Sequence, residues 1–171
     1  MANESYKKRV SNLIKFAKEK DKVTKYSEFV NSQLAEEMKL TEEEVEYYIS
    51  EKEEETKKYD IGDIVFVQNY MYKSGKCGQN HAFVIIDDGQ AIDINYFGFL
   101  LSSNVTKSTY PYNEELNKDS RNHLKKNSIV KCDDLIEIVE NEIKFKIGSV
   151  AESDLERFLN AYEKYLKTAE E

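Results

Sequence analysis

The chain of 171 residues carries 25 basic and 33 acidic side chains, a formal charge of −8, with six glycines and one proline. That length holds one domain with an appendage and falls short of two full domains. Hydrophobic residues at 40% and aromatics at 12%, among them 12 Tyr and 8 Phe, supply a core and exclude disorder by composition. The acidic balance excludes a protein that coats nucleic acid, because gripping phosphates over a whole surface needs Lys and Arg.

No apolar run approaches the roughly 20 residues of a membrane helix. The first ten residues are polar and charged rather than a basic flank followed by an apolar stretch. The expectation is a cytoplasmic protein without a membrane partner. Cys77 and Cys132 lie far apart and match no metal or redox spacing, so both read as reduced thiols.

In chain order, residues 1–58 hold 12 basic and 14 acidic side chains with no Gly or Pro. Tyr6, Val10, Leu13, Ile14 and Ala17 form one helical stripe, and Tyr26, Phe29, Val30, Leu34 and Met38 a second. Thr41 with Glu44 is a capping-box signature ahead of a third apolar face, Val45, Tyr48 and Ile49. From Thr41 to Glu55 there are eight Glu against one Lys, either a solvated helix face running into a linker or a negative segment that covers a basic surface elsewhere in the chain.

From Tyr59 the pattern turns to strands. Ile64 to Val67 and Ala82 to Ile86 are short apolar runs, the second followed by the turn residues Asp87-Asp88-Gly89. Ala91 to Ser102 reads as a long strand, with Gly98 marking a bulge or a close backbone approach. Ser128 to Cys132 is a further strand, and Leu135 to Val139 is expected to pair with Ile143 to Ile147 across Glu140-Asn141. Ser153 and Glu156 propose the cap of a last helix with Leu155, Phe158, Leu159, Tyr162 and Leu166 on one face. The order fits an α+β protein: a small, strongly bent sheet closed by a terminal helix, behind an N-terminal helical region at residues 1–58 and forming a second unit at 59–171.

Nucleotide-binding glycine loops, zinc spacings, calcium loops and nucleophile elbows are absent from the sequence. What remains is an ordered set of weaker motifs. Tyr59-Asp60-Ile61-Gly62-Asp63-Ile64-Val65-Phe66-Val67 leads through a loop with Gly75 and Gly78 to Asn80-His81-Ala82-Phe83-Val84-Ile85-Ile86. Leu101-Ser102-Ser103 and Lys107-Ser108-Thr109-Tyr110-Pro111 come next. This order resembles the MazF/PemK family of toxins from bacterial toxin-antitoxin modules, over roughly residues 59 to 165.

The resemblance implies an SH3-like β-barrel with a C-terminal helix, usually a homodimer, that cuts single-stranded RNA without a metal or other cofactor. The neighbouring 2'-hydroxyl attacks the scissile phosphate and leaves a 2',3'-cyclic phosphate. Aligned on Val84-Ile85 and on Pro111, His81 falls where the family has its catalytic Arg and Ser102 where it has its catalytic Thr or Ser. His81 would then serve as acid or base, Ser102 would hold a phosphate oxygen and Lys107 would stabilise developing charge. An Arg brings permanent charge and a bidentate fork, whereas His brings one titratable proton site. The substitution therefore implies either a mechanism weighted toward proton transfer or a copy that cuts weakly or not at all, used as an RNA-binding or protein-binding module. Without the resemblance, a histidine at a strand start is more often a structural hydrogen-bonding residue.

Asn104 to Lys131 holds six basic against three acidic side chains, the one extended basic stretch of the sequence. Tyr110 and Tyr112 within it offer faces on which unpaired bases stack, or else face the core of a long polar loop. The expected RNA contacts are Lys76, Asn80, Ser103, Lys107, Tyr110 and Arg121. His123 is the second histidine, and nothing in the spacing brings it to His81. Antitoxins of the resembled family lay an acidic, partly helical segment over the RNA groove. The expected protein partner is such an antitoxin, or the Glu42 to Glu55 stretch acting in cis as a built-in inhibitor. A helical dimerisation or partner-docking module is the plainer reading of the same residues.

Overall fold

The computed structural model describes residues 4–51, 58–68, 79–87, 95–104 and 110–168. Helix α1 (Glu4–Glu19), strand β1 (Val23–Lys25) and helices α2 (Tyr26–Phe29), α3 (Gln33–Glu37) and α4 (Glu42–Glu51) come first. Strands β2 (Asp63–Gln68), β3 (Asn80–Asp87), β4 (Tyr96–Ser102), β5 (Asn113–Leu116), β6 (Ser128–Ile138) and β7 (Ile143–Ser149) follow, and then helix α5 (Glu152–Thr168). The seven strands form one sheet in the order β1-β6-β4-β3-β2-β7, with β5 also paired to β6. All pairings are antiparallel except β1 with β6.

β3 and β4 are apolar without alternation because both faces of the sheet are covered where they lie. Alternate side chains of β3 therefore enter different cores. Ala82, Val84 and Ile86 join a cluster with α1, α4 and α5, through Val10, Ile14, Val45, Tyr48, Phe158 and Tyr162 among others. Phe83 and Ile85 join a second cluster on the opposite face with Tyr26, Phe29, Ala35 and Met38 from the α2–α3 segment. Residues on both sides of Lys58 thus build the same two cores, and the change of composition there is not matched by a break in packing.

The α1 stripe buries Tyr6, Val10, Ile14 and Ala17 at the spacing of one helical face, and the Tyr6 hydroxyl donates to the Ile86 carbonyl at 3.2 Å. Arg9 crosses to α5, where its guanidinium meets Glu156 at 3.0 Å, Asn160 at 2.7 Å and Glu163 at 2.8 Å. The capping box at α4 forms reciprocally: the Thr41 N–H donates to Glu44 at 3.0 Å and the Glu44 N–H to the Thr41 hydroxyl at 3.1 Å. Gly98 sits at a close backbone approach, since a Cβ there would lie 2.7 Å from the Val84 carbonyl oxygen.

Four expectations are corrected. The second helical stripe is broken into α2 and α3, because the Ser32 side chain accepts from the Ala35 N–H at 3.1 Å and starts a new helix. Leu135 to Ile138 does not pair with β7: the intervening residues Glu140–Glu142 form a 3-10 turn, with the Val139 N–H bonded to the Glu142 carboxylate at 2.9 Å, and β7 pairs with β2. Ser128 to Ile138 is one strand bent at its middle, where the partner of β4 jumps from Lys131 at Leu100 to Leu135 at Phe99. Helix α5 begins at Glu152, and Asp154 rather than Glu156 accepts from the residue before the helix, Ala151, at 3.4 Å. The start of the third expected strand, residues 91–94, lies outside the described residues.

Candidate functional site

The N-terminal end of β3, the C-terminal end of β4 and the start of β6 meet at one end of the sheet. Four buried polar residues collect there: Asn80, His81, Ser102 and Ser128. Ala82 pairs with Leu101 and Ser102 with Ile129. One further step of the same register sets Ser102 across from His81, and directly opposed residues of antiparallel strands share a face. That face is the one covered by α2 and α3. Asn80, one residue earlier, points to the other face.

His81 is fully buried. Its Nε2 lies 2.8 Å from the Ala35 carbonyl oxygen and its Nδ1 3.2 Å from the Tyr26 hydroxyl. A carbonyl can only accept, so Nε2 carries the proton, and Nδ1 is left to accept from Tyr26. The rings of Phe29 and Tyr26 meet the imidazole edge-on at centroid distances of 5.1 and 6.0 Å. Burial pushes the imidazole down to about 4, with the Ala35 carbonyl and the Glu36 carboxylate pulling less strongly the other way. The ring is therefore neutral at pH 7, with a base's lone pair at Nδ1 and a hydrogen-bond donor at Nε2. Burial likewise pushes the Tyr26 hydroxyl up, keeping its proton in place.

Burial of the neutral ring sets a pH dependence. The folded state holds this proton less tightly than the unfolded state, whose imidazole titrates near 6.5. Stability is complete above that value and is lost as pH falls from 6.5 to 4, by about 3 kcal/mol. Asp63 and Asp134, raised by burial, act in the opposite sense and cancel in a comparison of variants. In urea titrations from pH 7 to pH 4, the stability advantage of the wild type over His81→Gln is expected to shrink by that amount. A difference that stays flat with pH would sink this assignment.

The other expected site residues divide sharply. The Ser102 hydroxyl accepts from the Asn104 N–H at 3.1 Å, and Ser103 beside it is half-buried. Asn80 is buried with neither its carboxamide oxygen nor its nitrogen partnered among the described residues, while its backbone carbonyl accepts from the Leu40 N–H at 2.7 Å. An orphaned carboxamide of this kind costs about 1–3 kcal/mol. Tyr110 is 53% exposed, as a stacking surface needs to be. Arg121 is drawn to β7, where its Nε meets the Ser149 hydroxyl at 3.4 Å. Lys76 and Lys107 lie outside the described residues, as does Cys77. Cys132 is a buried free thiol.

The basic segment is a built loop and not a slack one. The Asp119 carboxylate accepts from the N–H groups of Arg121 and Asn122 at 2.9 and 2.8 Å. The Asn122 carboxamide oxygen accepts from those of Asp119 and Leu124, both at 3.0 Å. Leu124 anchors the loop in the first core. Helix α4 lies against it: the Lys125 ammonium meets Glu43 at 3.3 Å and sits 5.0 Å from the Tyr47 ring centroid, and the Lys125 N–H donates to the Tyr48 hydroxyl at 3.2 Å. The acidic helix thus touches the basic stretch at Lys125, while Glu42, Glu43 and Glu46 remain exposed. His123 stands exposed in this loop with a φ of 54°, and no hydrogen bond or ring contact among the described residues joins it to His81.

Sequence reasoning did not find Tyr26, Ala35 and Gln79 as parts of this site. The Tyr26 hydroxyl also reaches the Gln79 carbonyl at 3.3 Å, and the Gln79 carboxamide donates to Glu36 at 2.8 Å. The only signal was the pair of aromatics Tyr26 and Phe29 at helical spacing, which reads as core. Among the described residues no group of three or more His, Cys, Asp or Glu is placed to hold a metal ion. No helix of the described residues is long and apolar enough to cross a membrane.

No protein-family profile matches the chain. No curated protein matches it either. Among solved structures, the chain is similar to an endoribonuclease from Mycobacterial species at 13% identity and a TM-score of 0.47, covering 67% of this chain and 96% of that one. It is similar to the Mycobacterium tuberculosis toxin MazF-mt6 at 16% identity and 0.47, covering 61% and 96%. A third similar structure is an endoribonuclease in complex with its cognate antitoxin from Mycobacterial species, at 13% and 0.47, covering 62% and 92%.

Proposed function

We propose that the protein is the toxin component of a toxin-antitoxin system, an endoribonuclease that cuts single-stranded RNA without a metal, with His81 and Ser102 at the reacting phosphate. The observation that carries the reading is the strand register, which sets these two side chains side by side on one face at the polar end of the sheet. The ordered motifs from Tyr59 to Pro111 support it. In this mechanism the neutral imidazole accepts the proton of the attacking 2'-hydroxyl at Nδ1. The oxygen so freed bonds to phosphorus as the bond to the 5'-oxygen of the next nucleotide breaks, and that oxygen takes a proton from water and leaves as the 5'-hydroxyl. Ser102 donates a hydrogen bond to a nonbridging oxygen, and Lys107 faces the developing charge. Asn80, Ser103, Lys76, Tyr110 and Arg121 contact the strand. Its partners on this reading are single-stranded RNA, an antitoxin protein and a second copy of the chain, in the cytoplasm.

A second reading has a specific observation in its favour: both ring nitrogens of His81 are already engaged by Ala35 and Tyr26 and the ring is sealed from solvent. On that reading the protein is a catalytically inactive module that binds RNA or protein. Induction in a bacterial host separates the two. Wild type is expected to arrest growth and generate new 5'-hydroxyl RNA ends, and His81→Ala and Ser102→Ala to do neither. Unbroken RNA with all three chains, or identical ends from all three, decides for the inactive module.

A further inference from the structure

The segment from Tyr26 to Tyr48 touches the start of β3 through Tyr26, Ala35, Glu36 and Leu40, and the basic loop through Glu43 and Tyr48. Ala35 and Tyr26 occupy both nitrogens of His81, Glu36 holds Gln79, the Leu40 N–H takes the Asn80 carbonyl, and Glu43 and Tyr48 hold Lys125. Its helices are short: α2 has four residues, α3 five. Helices of that length have no stability of their own and stand only by what they pack on. On the other face of β3 from His81, beside Leu40, the Asn80 carboxamide is buried with no partner on either atom among the described residues. The closed arrangement therefore leaves hydrogen-bonding capacity unused next to the site, an uncommon condition for a buried polar group. The acidic helix α4, with Glu42, Glu43, Glu44 and Glu46, sets its negative charge against the basic loop, where an incoming phosphate strand would lie.

We infer that residues 26–48 form a strap that opens as a unit to admit single-stranded RNA to His81 and Ser102, and that how often the strap opens limits the rate of cleavage. The inference rests on the RNA-cleaving reading above, whose failure the test separates from its own. The strap buries its own Tyr26, Phe29, Ala35 and Met38 against sheet residues such as Phe83 and Ile85, so the closed form predominates. Residues 4–51 supply core side chains, so loosening is done by substitution in the full chain rather than by deletion.

Two exposed positions serve: Ser32→Ala removes the cap of α3, and Glu43→Lys turns the contact with Lys125 into a repulsion. Native-state hydrogen exchange on the wild type is expected to show the amides of residues 26–48 opening together at denaturant concentrations that leave those of β3 and β4 protected. In the double variant, modification of His81 by diethyl pyrocarbonate is expected to rise about fivefold, the measure of a lost cap, with exposed His123 as the internal reference. Cleavage of a panel of single-stranded RNA oligonucleotides should rise in step. Strap amides that exchange only with global unfolding overturn the strap, and the wild-type measurement stands even if the double variant does not fold. Equal cleavage by wild type and double variant overturns the strap and leaves the RNA-cleaving reading intact. A reactive His81 beside uncut RNA overturns that reading, and the strap's control of cleavage with it.

Discussion

His81→Ala is expected to lower the rate of single-stranded RNA cleavage by about 10²–10⁴-fold, the range that a positioned general acid or base contributes. Alanine removes the proton acceptor at Nδ1 and also takes from the Ala35 carbonyl and the Tyr26 hydroxyl their bonds to the ring, leaving Tyr26 with the Gln79 carbonyl. The variant is therefore compared with His81→Asn, which keeps a hydrogen-bonding side chain in the pocket but cannot accept a proton at neutral pH. Both variants are expected to be slow, and His81→Asn to recover stability without recovering rate. Single-turnover cleavage, measured well below each variant's melting temperature and in the strap-loosened background, separates chemistry from folding. A His81→Asn rate within a few-fold of wild type would assign His81 a purely structural role.

The largest loss of stability is expected at Gly148→Ala. A Cβ there would lie 2.2 Å from the Asn122 carbonyl oxygen, 2.5 Å from the carbonyl carbon and 2.9 Å from the Arg121 oxygen. All three are backbone atoms. The loop that carries them cannot step aside cheaply, because Asp119 and Asn122 hold it together and the Ser149 N–H bonds to the Arg121 carbonyl at 3.2 Å. Overpacking against fixed backbone places the effect at about 3 kcal/mol or more, read as a lower urea midpoint with unchanged slope. The same displacement draws Leu124 out of the first core and loosens Lys125 from α4, so strap amides should exchange faster in this variant. A shift of under about 1 kcal/mol would mean that the loop is far softer than its hydrogen bonds imply.

What the sequence disclosed follows the range over which its signals act. The α1 stripe, the Thr41 and Glu44 box and the unbroken apolar runs of β3 and β4 are local patterns, and the structure forms each of them. Gly98 was readable as a close approach because a glycine inside an apolar strand has few other uses. The parallel pairing of Val23–Lys25 with β6 left no trace, since three residues carry no periodicity. β5 was hidden in a polar loop for the same reason: of its four residues only Leu116 is buried. The pairing of β7 with β2 is decided by the turn at Glu140–Glu142 and by which edge stands free, and neither is a local property.

The candidate site shows the same division. A resemblance to a family motif singles out His81 and Ser102 together, and the antiparallel register of β3 and β4 sets them opposite each other. The sealing of His81 depends on the Ala35 backbone and the Tyr26 hydroxyl, 46 and 55 residues away in sequence, and no spacing near His81 announces either. A histidine with a free lone pair in a groove and a histidine locked under a helical segment have the same sequence neighbourhood.

The central claim is that His81 and Ser102 carry out RNA chemistry once the strap yields. Its most direct test is the chemistry of the product ends left by the full chain carrying Ser32→Ala and Glu43→Lys, incubated with single-stranded RNA and analysed by mass spectrometry. Paired 2',3'-cyclic phosphate and 5'-hydroxyl ends are expected, and they vanish when His81→Ala or Ser102→Ala is added. Uncut RNA, or the same ends with either residue replaced, would show that His81 and Ser102 do not cut RNA.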